Sequence, residues 1–300
     1  RLGVDLQSNA VLRSFNVAGN RLRSVTVERA GRLEEVTADY YVAAVPVEVM
    51  QGLVTPELAQ AAPSLSKLGG LRTEWMNGIQ FYLRRDLPLA HGHTVYLDAN
   101  WALTSISQAQ FWNGYDLSQY GNGEVRSILS VDISNWTTAG NFNGKPAIEA
   151  ATREEIKNEV WAQLRAALNA PGRVLLDDGD LVDWFLDPDI QLPNPGTVTN
   201  AEPLLINHVG SLALRPEAHT EIGNLFLASD YVRTYTDLAT MEAANEAARR
   251  ATNAILAVSG VTAPPCGLWE FDVPKPIRDA QVLDKLRFRM GLPNLILSAP

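Results

Sequence analysis

The chain has 300 residues, 46% hydrophobic and 20% charged, enough for a sizeable core in one or two domains. Its formal net charge of −9 argues against nucleic acid as a main partner, and its single cysteine, Cys266, excludes an internal disulfide framework and a cysteine-rich metal site. No apolar run approaches the length of a membrane span, and the first residues do not follow a signal-peptide pattern.

Gly3–Phe15 alternates well enough for a strand pair, which Arg21–Arg29 continues, with turns at Asn20 and Gly31. Ala38–Pro46 reads as a buried strand stopped by Pro46. Val47–Leu65 reads as one or two short helices bounded by Pro56 and Pro63. Gly69–Gly70 marks a hinge or turn, and Trp75–Leu83 and Thr94–Leu97 read as strands. His91 and His93 have no carboxylate or thiol at ligand spacing, so a turn is the favoured reading there. Trp101–Trp112 is aromatic and uncharged. It serves equally as a space-filling core segment or as an apolar wall with Ser105, Ser107 and Gln108 as polar points. Ile128–Ile133 is a central strand, and the sequon Asn135-Trp136-Thr137 is taken as chance.

Thr152 with Glu155 forms a capping box for a helix whose buried face is Ile156, Val160, Leu164 and Leu168. Leu181–Leu186 is a further strand, followed by a proline-bearing loop. In Asn207–Pro216, His208 suits a structural role better than a general base, and Arg215 could bind an anion or cap local carbonyls. Leu225–Ala228 is a continuous apolar run, as in a strand covered on both faces. Asp230 falls where that strand ends, and Thr240-Met241-Glu242 where a helix begins. Met241, Ala244, Ala248, Ala251 and Ile255 recur at helical spacing, so small side chains would let this helix lie close to a sheet or a flat ligand. In an open α/β sheet, ligands bind outside strand carboxyl ends, where helix N-termini offer free N–H groups. Beyond Ala263–Pro265, Trp269–Phe271 is expected to pack back on the body. Pro276–Met290 reads as a helix with Val282, Leu283, Leu286 and Met290 on one face and Lys285, Arg287 and Arg289 beside it. Docking on the protein's own body is the favoured reading, with a membrane-surface helix as the other.

The stretch Leu225–Leu256 resembles the C-terminal flavin motif of the FAD-dependent amine oxidase and phytoene desaturase superfamily: an apolar strand, Ala-Gly-Asp, a loop, and Thr-Met-Glu-Gly-Ala opening a helix. Here it reads Ala228-Ser229-Asp230 and Thr240-Met241-Glu242-Ala243-Ala244, with two family glycines replaced by the small residues Ser229 and Ala243. The early strands resemble the segment in which a valine backbone meets the adenine, here Val11, and which ends in Ala-Asp, a strand and proline, here Ala38-Asp39 through Pro46. Residues 81–112 are similar to the phytoene desaturase-like or hydroxysqualene dehydroxylase-like branch.

The resemblance implies an α/β fold: part of a GR2-type (glutathione-reductase-like) FAD-binding domain with an inserted α+β substrate domain. The implied division is 1–66 and 201–262 as FAD-domain pieces, 67–200 as substrate domain and 263–300 as a C-terminal tail. Implied FAD contacts are Val11, Pro46, Ser229, Asp230, Thr240 and Met241. Substrate-cavity candidates are Trp101, Ser105, Trp112 and His208, and no catalytic residue is assigned. The sequence carries no G-x-S-x-G, P-loop, H-E-x-x-H or kinase set. That suits a flavin enzyme, in which the isoalloxazine accepts the hydride. The implied activity is hydride removal from an apolar, isoprenoid- or carotenoid-type substrate, in the cytoplasm and with membrane association left open. The alternatives are an amine oxidase and a non-catalytic lipid- or prenyl-binding escort subunit. Neither a GxGxxG turn nor its strand–helix unit occurs here. The expected further partner is therefore a missing N-terminal half of the same protein.

Overall fold

The computed structural model describes residues 3–294. The chain forms two compact units, Arg1–Arg72 with Ile206–Pro300, and Thr73–Leu205. The elements in chain order are strands β1 (Ala10–Ala18), β2 (Arg21–Arg29), β3 (Arg32–Val36) and β4 (Tyr41–Ala43), then helices α1 (Val47–Leu53) and α2 (Pro56–Ala61). Strands β5 (Arg72–Glu74), β6 (Asn77–Leu83), β7 (Thr94–Val95), β8 (Leu103–Ser107) and β9 (Ser127–Ile133) lead to helix α3 (Arg153–Leu168). Then come β10 (Leu181–Leu186), β11 (Ile190–Asn194), β12 (Thr197–Asn200), β13 (Leu204–Ile206), β14 (Leu225–Leu227), α4 (Met241–Ser259) and α5 (Lys275–Arg289).

In the first unit, β1, β2 and β3 form an antiparallel meander. The β2–β3 turn places Ala30 at φ 47° and Gly31 at φ 76°. Two left-handed residues are what a tight hairpin with matching strand twist needs, and only the glycine adopts this without cost. The meander differs from the sequence expectation in two ways. Gly3–Asn9 forms no strand, so β1 is single, and the third strand is the exposed, charged Arg32–Val36. Ala38–Pro46 contributes only β4, which pairs in parallel with β14: Tyr41 opposite Leu225, Val42 opposite Phe226, Ala43 opposite Leu227. The Ala228 N–H donates to the Ala43 carbonyl at 3.0 Å and extends the pair by one residue.

The buried Asn224 side chain fixes β2 beside this pair. Its Oδ1 accepts the Leu22 N–H at 2.8 Å, and its Nδ2 donates to the Leu22 carbonyl at 3.0 Å. The amide thus satisfies both backbone groups of a residue that is itself buried. Thr55 caps α2 by accepting the Leu58 N–H, with Pro56 pre-set at the first helical position.

Helix α4 starts where the sequence places it, with the Thr240 hydroxyl accepting the Ala243 N–H at 3.2 Å. Its buried face is Ala243, Glu246, Ala247 and Ala251, while Met241 and Ala248 are exposed. The helix is therefore turned by about one residue from the expected stripe. Alanines run at i, i+4 along both stripes, and spacing alone does not choose between them. Helix α5 forms over Lys275–Arg289 and buries no side chain, so the expected docking of its apolar face is not present.

The second unit is built on an antiparallel sheet of order β10-β6-β9-β8-β7. β6 and β9 alternate strictly, burying Asn77, Ile79, Phe81 and Leu83 and Ser127, Leu129, Val131 and Ile133. That period of two sets one face against α3, whose Ile156, Val160, Trp161 and Leu164 enter the same core. Phe81 and Trp161 meet with ring centroids 4.9 Å apart. Thr152 caps α3 as expected, but the Glu155 carboxylate reaches the Ala151 N–H and the Lys145 ammonium instead of closing a capping box.

Candidate flavin site and substrate cavity

The parallel pair β4–β14 aims the chain at Asp230, which is half-buried. Ser229 Oγ donates to Asp230 Oδ1 at 3.2 Å. The Asp230 carbonyl accepts Arg215 Nη1 at 2.7 Å, and Arg215 Nη2 donates to Asn207 Oδ1 at 2.6 Å. Arg215 is 3% exposed and caps local groups, which decides between its two sequence readings. Burial pulls its guanidinium below its ordinary value, with Asp237 and Asp230 opposing. Tyr231, next along, is fully buried, and its hydroxyl has no partner among the described residues. Burial, then the Asp230 charge, pushes that hydroxyl well above the ordinary tyrosine value. It stays neutral and can donate.

From Tyr231 the loop returns to α4 through a buried acid that sequence reasoning missed. Glu246 is 8% exposed and accepts the Tyr235 N–H at 2.9 and 3.1 Å through its two oxygens. Arg250 Nε donates to it at 2.7 Å, and the Arg250 guanidinium lies 4.7 Å from the Tyr235 ring centroid. The loop is thus pinned to the first two turns of the helix. The only sequence signal was the i, i+4 pair Glu246/Arg250, which is usually a solvated pair.

These residues fit the group that the flavin resemblance implies. Thr240 occupies the Ala243 N–H, and no hydrogen bond takes the Met241 or Glu242 N–H among the described residues. Two donors at a helix N-terminus remain for an electron-rich ligand. Met241 is 85% exposed, leaving that end uncovered, and the buried Tyr231 hydroxyl one residue past Asp230 has no partner among the described residues. Val11 lies half-exposed on β1, and Pro46 precedes α1 with no side-chain cap. The structure brings Ser229, Asp230 and Thr240 onto one strand–loop–helix, with Met241 opening the helix.

The substrate-cavity candidates separate. Trp101 is fully buried in the second unit's core, with its Nε1 unpartnered among the described residues. Ser105 is buried and hydrogen-bonded to the Tyr96 hydroxyl at 2.7 Å. Trp101 packs within that core, and β8 turns Leu103, Ser105 and Ser107 inward. His208 is half-buried in the first unit, its ring nitrogens 3.2 and 3.1 Å from the Val209 and Gly70 carbonyls.

Trp112 is different. It lines a hollow of about 700 Å³ in the second unit, together with Tyr82, Tyr115, Tyr120, Trp184 and Phe185. Trp112 and Tyr115 meet edge-on at 5.6 Å, and Tyr115 and Tyr120 stack at 5.5 Å and 10°. Among the described residues, Asp183 is the one charged lining residue. Sequence reasoning missed the tyrosines. Their signal was a run of aromatics at 112, 115 and 120 in a loop too rich in glycine and asparagine to bury them.

Among solved structures, the chain is similar to cyclohexylamine oxidase from Brevibacterium oxydans IH-35A, at 12% identity with a TM-score of 0.47, covering 83% of this chain and 48% of that one. It is also similar to an oxidoreductase from Methanosarcina mazei, at 11% identity with a TM-score of 0.40, covering 80% and 48%. The chain spans about half the length of these solved relatives. No curated protein matches it. The family model described as flavin containing amine oxidoreductase matches residues 1–256, which include the β4–β14 pair, Asp230 and the Thr240 helix start, and the chain belongs to that FAD-containing family.

Proposed function

We propose that the protein is an FAD-dependent oxidoreductase that removes hydride from an apolar substrate of isoprenoid or carotenoid type. The observation that carries this reading is the strand–Asp230–loop–Thr240 helix within the family-matched residues. In this reading the first unit is part of a GR2-type FAD domain and the second is the substrate domain. Asp230, Ser229, Thr240 and Met241 hold the cofactor, with Val11 and Pro46 as further contacts. Bound FAD supplies the two-electron acceptor.

The chain's own residues bind and orient. The Asp230 carboxylate accepts hydroxyl hydrogens, the free N–H groups of Met241 and Glu242 stabilise negative charge, and Tyr231 donates from a dry setting. The aromatic hollow excludes water from an apolar ligand and offers ring faces for it to lie against. Absence of an acid–base constellation in the sequence supports an acceptor that needs none from the protein. The missing partner in this reading is an N-terminal strand–helix unit carrying the glycine-rich turn.

A second reading, amine oxidation, is favoured by one observation: Asp183 stands among the rings of Tyr82, Trp112, Tyr115, Tyr120 and Trp184. A carboxylate within an aromatic wall suits an alkylammonium. The test is anaerobic mixing of the natural flavoprotein with apolar polyenes and with alkylamines. Bleaching of the flavin absorbance by the polyenes alone supports the first reading. Bleaching by amines alone supports the second, and a flavin-free protein sinks both.

A further inference from the structure

Helix α5 buries none of its side chains, yet it is patterned as a helix with something to cover. At 100° per residue, Val282, Leu283, Leu286 and Met290 fall within one arc about 100° wide. They are 58%, 48%, 49% and 64% exposed. Arg278, Lys285 and Arg289 run along one flank of this stripe, and Arg287 along the other. Ile277 and Phe288 lie off it.

The charge of this helix opposes that of the chain. Its fifteen residues carry five basic and two acidic side chains, against a formal net charge of −9 for the whole sequence. Lys275 pairs with Asp279 at 2.6 Å and Arg278 with Asp272 at 3.1 Å. Lys285, Arg287 and Arg289 have no carboxylate partner among the described residues, and Arg287 Nε donates only to the Pro293 carbonyl. The lead-in carries two further exposed aromatics, Trp269 at 69% and Phe271 at 68%.

An occupant must accept an apolar stripe and supply anions along its flanks. An anionic lipid surface does both: the stripe enters the headgroup–acyl boundary, the cations meet lipid phosphates, and exposed aromatics suit the interface. We propose that α5 holds the protein on an anionic membrane surface. The apolar stripe supplies depth, while Lys285, Arg287 and Arg289 select charge. No helix among the described residues is long and apolar enough to cross a membrane, and α5 in this proposal lies in the plane of the interface. It stands independently of the flavin reading.

The test is sedimentation of the 300-residue chain with phosphatidylcholine vesicles, and with vesicles that also contain phosphatidylglycerol. The expected result is on the order of tenfold greater partitioning onto the anionic vesicles, reduced by high salt. Leu283→Asp with Leu286→Asp should abolish it. Lys285→Glu with Arg289→Glu should lower it to the level of neutral vesicles. Since α5 buries nothing, both variants should keep the wild-type circular dichroism spectrum. Equal partitioning onto both vesicle types, or binding that neither variant changes, overturns the proposal. So does a lipid-free oligomer that the double aspartate variant dissolves, which would make a second copy the occupant.

Discussion

Replacing Glu246 by alanine should destabilise the first unit by about 3 kcal/mol. The carboxylate holds the Tyr235 N–H at 2.9 and 3.1 Å and Arg250 Nε at 2.7 Å, at 8% exposure. Removing one partner of a buried charge pair costs about 3–5 kcal/mol, because the other is left unmet. The Arg250 side chain is 21% exposed, so water recovers part of that loss and the lower end applies. In a unit of this size, about 3 kcal/mol lowers Tm by roughly 6–12 °C. Glu246→Gln keeps an acceptor for Tyr235 and should lose only about half as much. Circular dichroism melts of the three proteins make the comparison. An alanine variant within about 0.5 kcal/mol of wild type, or a glutamine variant as damaged as alanine, would refute the claim that this acid pins the loop.

Other predictions follow from the same geometry. Phe81→Ala should cost about 3–5 kcal/mol in the second unit, measured by denaturant unfolding, because the ring is fully buried against Trp161. Asp180 is a pH-dependent strut. Burial raises its carboxyl, but the Arg85 hydrogen bonds and charge and the Asp177 N–H outweigh this and hold it below the ordinary 3.8. A depressed folded value means that its stabilisation is complete above 3.8 and is lost as pH falls through the folded value. Asp180→Asn should therefore melt lower than wild type at neutral pH, with the gap closing in acid below 3.8; a gap that persists there contradicts the linkage. Trp112→Ala with Tyr120→Ala should weaken apolar ligand binding at least tenfold, on the order of one lost ring contact or more, with the fold intact. Trp101→Ala should unfold the unit instead, and fluorescence titration beside a melt separates the two. Residues 1–300 alone should bind FAD weakly, since the sequence offers no glycine-rich turn for the pyrophosphate; stoichiometric quenching of flavin fluorescence would show otherwise.

The elements readable from sequence were those whose pattern is local. Arg21–Arg29 and Leu181–Leu186 match β2 and β10 residue for residue, and Thr152 and Thr240 mark true helix starts. Strand β3 was hidden because Arg32, Glu34 and Glu35 face water, leaving no apolar alternation to read. β4 was overextended because an apolar run does not say how many residues find a ladder partner, and that partner, β14, lies far along the chain. The Asn224 bridge and the Glu246 anchor were illegible for the same reason: each depends on a backbone brought near by the fold. Of the site residues, the strand–loop–helix set could be named because its motif is contiguous. Of the cavity wall Trp112 could be named but its neighbours could not, since Tyr82, Tyr120 and Trp184 converge only once β6, β10 and the 112–122 loop have come together.

The flavin reading rests on Asp230, just beyond the end of β14. The most direct measurement is the flavin-to-protein ratio of the purified natural protein and its Asp230→Ala variant after gel filtration. The side chain's one protein hydrogen bond among the described residues comes from Ser229 Oγ, and the carbonyl that holds Arg215 is kept in the variant. Folding should therefore be preserved. Loss of a hydrogen bond to a charged group costs on the order of 1.5–3 kcal/mol, about tenfold or more in affinity. The variant should keep the wild-type circular dichroism spectrum and shed most of its flavin. Equal occupancy in the two proteins, or no flavin in either, would contradict the flavin reading.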